Sequence, residues 1–176
     1  RRLLLAALDT LRQVTAPASR EIIAVDVSPG SLCDTEFAAF VLARLAAEPQ
    51  TAHRLCFEIP ATLSVETAER CAQFVAAVRE VGCLVTLDGF GSGSHSFQLL
   101  KRLRPDFLKI DEDFVRRLGA HAVDYEIVLG ISRVAKSLHV KTIAEGVATP
   151  AARELLCRMG VDLMQGPLLA PIVAVD

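Results

Sequence analysis

The sequence predicts an α/β fold on a parallel β-sheet, in which strands and helices alternate along the chain. Two observations carry this. Short apolar runs bounded by polar residues, Gly or Pro recur at intervals of roughly 20 to 35 residues, as strands buried on both faces do. Between them lie amphipathic stretches with readable helix caps.

The expected strands are Ile22 to Val27, Leu55 to Ile59, Leu84 to Leu87, Phe107 to Ile110, Lys141 to Ala144, and Leu163 to Met164. Among the helices, Asp34 is placed to cap the run Phe37 to Leu45. Ser64 opens a helix through Glu80 that stops before Gly82. Tyr125 to Leu138 carries Ile127, Val128, Ile131, Val134, Ala135 and Leu138 at three-to-four spacing, a helix with one buried face. Thr149 followed by Pro150 is an N-cap with proline in the first helical position, and Gly160 ends that helix.

The chain of 176 residues is expected to form one domain over 1–176, because it is too short for two and shows no linker or composition break. It opens at Arg1 inside a helical pattern, so an N-terminal part of the same domain is expected upstream, and the lack of a leader decides nothing. An eight-unit barrel takes about 250 residues. Six units therefore describe either a (β/α) barrel lacking its first strand or two, or an open six-stranded sheet. Periodicity does not choose between them.

Composition narrows function mainly by exclusion. At 52% hydrophobic and 23% charged the chain is globular. A net charge of −2, with mixed signs throughout, argues against DNA or another extended nucleic acid as partner, since that needs a basic face. A small anion held by a few groups stays open. No apolar run approaches the roughly 18 residues of a membrane span. Five cysteines, an odd number with no CxxC pair, read as buried small hydrophobes in a reducing compartment.

A second regularity points to a site. Asp26, Glu58, Asp88, Lys109 with Asp111, Glu145 and Gln165 fall at the ends of successive expected strands. A charge inside an apolar run is costly unless paired, as for Glu58 in Cys-Phe-Glu-Ile-Pro and Lys109 in Leu-Lys-Ile. Strand carboxyl ends form the ligand site of α/β folds, and in a closed barrel they share one mouth. Carboxylates, a lysine and an amide around one mouth suit a hard divalent cation and a phosphate.

These residues stand in words that resemble those of the EAL family. Val25-Asp26-Val27-Ser28 resembles "vNlS", and Phe57-Glu58-Ile59 resembles the start of "lEiTE". Asp88-Gly89-Phe90-Gly91-Ser92-Gly93 resembles "DDFGTG", and Leu108-Lys109-Ile110-Asp111 with Phe114-Val115 resembles "lKID..FV". Ile143-Ala144-Glu145-Gly146-Val147 is similar to "vAEGVE", and Gln165-Gly166 with Pro171 to "QGy....P". The resemblance covers roughly residues 20 to 171 and implies a TIM-like (β/α) barrel of the EAL type, incomplete in this chain.

It also implies chemistry. Active members hydrolyse cyclic di-GMP with Mg2+ or Mn2+. Carried over by position, Glu58, Asp88 and Glu145 belong to the metal site, and Asp26 stands where the family has a metal-binding asparagine. Lys109 and Glu145 take the catalytic places, with Lys109 engaging the attacking water. Gln165, Gly166 and Asp111 are expected near the ligand.

The departures are equally specific. No Glu-Ala-Leu signature occurs in the chain, and an upstream segment is the place expected for it. Gly89 replaces the second aspartate of "DDFG", Pro60-Ala61 replaces "TE", Ala148 replaces the last glutamate of "EGVE", and Ser94-His95 stands for "Tyr-Ser". Two-metal hydrolysis needs both ions. The expectation is therefore a degenerate domain that acts as a cyclic di-GMP receptor, with hydrolysis lost. The alternatives are an active phosphodiesterase, or a nucleotide-independent interaction scaffold in flagellar or transcriptional regulation. An effector protein and a homodimer are the further partners considered, and the ligand implies a cytoplasmic setting.

Weaker signals read structurally. Gly89, Gly91 and Gly93 lack GxGxxG spacing and serve a turn or a close approach. His53, His95, His121 and His139 show no ligand spacing, and Lys101-Arg102-Leu103-Arg104 reads as a solvated helix end.

Overall fold

The computed structural model describes residues 1–13 and 21–170, so Pro171 of the last motif lies outside the described residues. Helix α1 (Arg2–Gln13) leads into strand β1 (Ile23–Asp26). Three helices follow, α2 (Pro29–Leu32), α3 (Thr35–Ala47) and α4 (Pro49–Ala52), before β2 (Leu55–Pro60). Then come α5 (Val65–Glu80), β3 (Leu84–Phe90), α6 (Ser96–Leu103) and β4 (Phe107–Ile110). The order closes with α7 (Glu112–Arg116), α8 (Ala122–Ser137), β5 (Lys141–Ala144), α9 (Pro150–Met159) and β6 (Leu163–Met164).

All five strand pairings are parallel, in the order β1-β2-β3-β4-β5-β6. This decides what periodicity left open. A doubly wound sheet reverses its strand order and places helices on both faces. Here every crossover steps in the same direction, and right-handed connections then put the helices on one face. The result is a half-barrel.

The core lies between the sheet's outer face and that helical layer. Val25, Val27, Phe57, Ile59, Val85, Leu87, Leu108 and Ile110 are all buried there with Val41, Leu45, Phe74, Val78 and Leu156 from the helices. Phe57 meets Phe74 edge-on at 5.4 Å between ring centroids. Each such fully buried side chain contributes about 1.5 to 3 kcal/mol. On the inner face of β1, by contrast, Ala24 and Asp26 are exposed.

The expected caps form. Asp34 accepts from Glu36 N, Ser64 from Thr67 N, and Thr149 from Ala152 N. Gly160 closes α9 with φ +76°. Three of the cysteines, Cys56, Cys71 and Cys83, are buried as expected, but Cys157 is exposed and Cys33 only half-buried, which corrects the reading of all five as core residues. All five are free thiols. Burial pushes Cys56 up to about 11, and Cys71 and Cys83 up to about 12. Among the described residues no helix is long and apolar enough to cross a membrane.

Candidate functional site

Parallel register brings the charged residues to one end of the sheet. Asp26 pairs in register with Glu58, and Pro60 with Asp88. Between β3 and β4 the ladder runs regularly to Leu87↔Leu108, then resumes at Phe90↔Ile110. Asp88 and Gly89 thus oppose Lys109 alone, which is a β-bulge. Gly89 carries the bulge with φ +65°, a left-handed backbone conformation that residues with side chains rarely adopt. The bulge also re-aims Asp88, whose carboxylate reaches 3.3 Å from Lys109 Nζ.

Lys109 is the hub. It is buried among apolar strand neighbours, and its Nζ lies 2.8 Å from Glu58 Oε2, 2.8 Å from Glu145 Oε1 and 3.3 Å from Asp88 Oδ1. Burial alone would push the ammonium's pKa down, but the pull of Glu145 and Glu58 outweighs it and the net direction is up. Gln165 Nε2 donates to Glu145 Oε1 at 2.7 Å, the same oxygen that faces Lys109, and so helps fix that carboxylate. Asp26 completes the set, and carboxylate oxygens of Asp26, Glu58 and Asp88 lie within 4.8 Å of one another.

The charges do not balance. Four carboxylates, Asp26, Glu58, Asp88 and Glu145, face one ammonium, a formal −3 when all are ionised. Burial pushes the Glu58 and Glu145 carboxyls above the ordinary value; Lys109 pulls both back only in part. Asp88 Oδ1 is buried, lacks hydrogen-bond geometry to Lys109 and accepts no hydrogen bond from any other described residue. Excess negative charge, a buried oxygen without a hydrogen bond and three converging oxygen donors are what a hard divalent cation satisfies. Asp26, Glu58 and Asp88 therefore fit Mg2+ or Mn2+, and nothing in the donor set distinguishes the two.

The profile of the EAL domain family matches residues 1–172. The chain belongs to the EAL domain family. Among its relatives, the cyclic di-GMP phosphodiesterase PdeF of Escherichia coli is 33% identical over 153 residues, covering 87% of this chain and 20% of that protein. The chain thus spans about a fifth of that relative's length. The solved structure of the PaMucR phosphodiesterase in complex with c-di-GMP superposes with a TM-score of 0.86 at 28% identity, covering 96% of this chain and 68% of that one. The FimX EAL domain of Xanthomonas citri in complex with c-diGMP gives a TM-score of 0.84 at 28% identity, covering 97% and 68% respectively. The half-barrel of this EAL domain is therefore part of the TIM-like barrel expected from sequence.

The remaining expected residues sort by position. Asp111 spends Oδ1 on Asp113 N at 2.9 Å, capping α7, while Oδ2 faces the empty side of Gly89. A Cβ built on Gly89 would stand 3.8 Å from that oxygen. Gly166 packs against the backbone of Val147 beside Gln165. Ala61 is fully buried and its N–H donates to Asp88 O at 2.7 Å. The glycine loop lies directly on it: a Cβ on Gly93 would meet Ala61 O at 2.5 Å. Ala148 is exposed, and His95 sits half-buried at the N-cap of α6 without a capping bond.

Two features of the site leave little trace in the sequence. The bulge was hidden because Asp-Gly reads as the end of a strand, although Phe90, apolar and two residues on, was a signal that pairing resumes. The Gln165–Glu145 hydrogen bond joins residues 20 apart in sequence, and local spacing carries no trace of it.

Proposed function

We propose that this EAL domain binds cyclic di-GMP at the carboxyl ends of its strands with one divalent cation, and does not hydrolyse it at the rate of a two-metal enzyme. The observation that carries this reading is Gly89. At the bulge, next to Asp111, the chain offers a bare Cα where the family motif offers a second carboxylate. Asp26, Glu58 and Asp88 supply oxygen donors for one Mg2+ or Mn2+. Such an ion, when bound, neutralises phosphate charge and lowers the pKa of coordinated water.

The chain's own residues then take these roles. Lys109 and Glu145, vestigial catalytic groups, hold the inner edge of the site, and Gln165 keeps Glu145 in place. Gly166, Asp111 and Gln165 border the space for the ligand. Ala61, beneath the glycine loop, gives that loop no charged partner, unlike the glutamate of the family motif. Together with Gly89, Pro60 and Ala148, it weighs against turnover, because losing ligands and their supports lowers metal occupancy and water orientation together.

A second reading, an active phosphodiesterase, is favoured by one observation. Glu58, Asp88, Lys109 and Glu145 gather within salt-bridge distance as a working site requires. A nucleotide-free scaffold has no use for that cluster. Binding calorimetry and chromatographic product analysis on the natural full-length polypeptide separate the three. Heat of binding without linear product is expected. Linear product at rates typical of active relatives ends the receptor reading, and no heat ends both nucleotide readings. A cytoplasmic effector protein, a homodimer or both would complete the signalling role.

A further inference from the structure

We infer that Lys109 is a resident counter-cation that competes with the divalent ion for its carboxylates, so that the lysine sets how weakly this EAL domain holds metal. The inference rests on the single-cation reading above and concerns what opposes it. An ammonium has three N–H donors. In this chain Nζ lies 2.8 Å from a carboxylate oxygen of Glu58 and of Glu145, and it attracts Asp88 Oδ1 at 3.3 Å as a charge without hydrogen-bond geometry. Glu58 and Asp88 are also two of the three residues whose oxygens converge with Asp26. The lysine and the incoming ion therefore need the same donors.

Burial makes the competition strong. The Lys109 side chain is 7% exposed and the Glu58 side chain 11%, so water cannot readily take over either partner. An ion entering between Asp26, Glu58 and Asp88 meets a positive charge fixed within hydrogen-bond distance of two of its ligands. It gains the carboxylates' attraction less the ammonium's repulsion. Gln165 donates to Glu145 Oε1, the same oxygen that faces Lys109, and Glu145 therefore stays on the lysine's side of the site. Asp26, which has no cationic partner among the described residues, is the donor left to recruit the ion.

A lysine whose main task is to hold water or phosphate beside a bound metal should help the site, or leave metal affinity alone. A competing lysine should do the reverse. The test is Mn2+ titration of the nucleotide-free full-length protein by calorimetry and by the electron paramagnetic resonance signal of free Mn2+. Lys109→Met and Lys109→Gln both remove the charge, and the glutamine keeps a hydrogen-bond donor in case the methionine variant folds poorly. Both are expected to bind Mn2+ at least about tenfold more tightly than wild type, because a unit positive charge beside two of the ion's carboxylates has been removed. Lys109→Arg, which keeps the charge, should bind no more tightly than wild type. Binding by wild type with equal or weaker binding by folded Lys109→Gln overturns this inference and leaves the single-cation reading standing. No Mn2+ binding by any of the proteins overturns both.

Discussion

The two ends of this sheet use carboxylates in opposite ways. At the amino-terminal end of the strands, Asp106 accepts Val85 N–H at 2.8 Å and pairs with Arg79 at 2.8 Å. Asp162 accepts Thr142 N–H at 2.8 Å and Thr142 Oγ1 at 2.9 Å, while its own N–H returns to that hydroxyl at 3.1 Å. Each ties neighbouring strands together, and each has as many donors as a carboxylate needs. At the carboxyl-terminal end, Asp26, Glu58, Asp88 and Glu145 accept no backbone N–H from the described residues, and three of them crowd one ammonium. A carboxylate whose lone pairs are met by backbone donors is holding the fold together. One that is left short of donors and beside its own kind adds nothing of that sort to the fold, which is the pattern a ligand site has.

The comparison breaks first at the backbone. If the carboxyl-terminal rim were loose throughout, Gly93→Ala would be harmless. Instead the new Cβ would meet the carbonyl oxygen of Ala61, a fully buried residue just past β2 whose N–H is held by Asp88 O. Backbone cannot swing aside as a side-chain tip does. A loss of about 3 kcal/mol is expected, read as a lower denaturation midpoint in urea at unchanged slope. Tight backbone with under-satisfied side chains is the combination that positions charges without neutralising them.

Asp162→Ala tests the other end. It leaves the buried Thr142 N–H without an acceptor, which costs about 2 kcal/mol. Nucleotide and Mn2+ affinity should not change, because the site lies at the opposite end of β5. A loss of Mn2+ affinity in the folded variant would show that the two ends are not independent.

Much of this was legible in the sequence, and the reasons differ by element. β4, β5 and β6 begin and end where their apolar runs do, at Phe107–Ile110, Lys141–Ala144 and Leu163–Met164. β3 runs on to Phe90 rather than stopping at Leu87, since a bulge lets a strand pass through Asp88-Gly89 and pair again. β1 loses a residue at each end of its expected range, and β2 gains Pro60. α8 starts at Ala122, three residues before the apolar stripe that announced it at Tyr125. The short helices α2, α4 and α7 carry no periodic signal at four or five residues. α6 shows in the sequence only as the solvated helix end at Lys101-Arg102-Leu103-Arg104, because its apolar residues, Leu99, Leu100 and Leu103, follow a glycine loop. The site residues were legible because charge inside an apolar strand is costly. Their mutual distances were not, because sequence gives the strands but not their register.

Gly89→Asp should cost about 1 kcal/mol, since aspartate tolerates a left-handed backbone better than most residues and the added Cβ meets ordinary contacts at 3.7 Å or more. Its value lies elsewhere. A carboxylate there would stand beside Asp111 Oδ2, on the unfilled side of the bulge. Calorimetry should then count a second Mn2+ per chain, and linear dinucleotide should become detectable. Unchanged stoichiometry in a folded variant would place the defect at Ala61 or upstream rather than at the bulge.

Asp26→Ala has the smallest expected effect on folding and separates the two ends most cleanly. Asp26 is exposed, accepts no hydrogen bond from the described residues and adds to the burden on Glu58, whose carboxyl it helps push up. The sign follows from that repulsion: removing Asp26 lets Glu58 ionise more easily, so metal-free stability at neutral pH should stay within about 0.5 kcal/mol of wild type and lean towards a gain. Mn2+ affinity should fall, because the one donor that Lys109 does not occupy is gone. Removing a carboxylate at the other end weakens the fold and spares the ligand; removing this one spares the fold and weakens the ligand. A stability loss as large as that of Asp162→Ala would mean that Asp26 is a structural strand end after all, and the contrast between the two rims would fail at its outermost member.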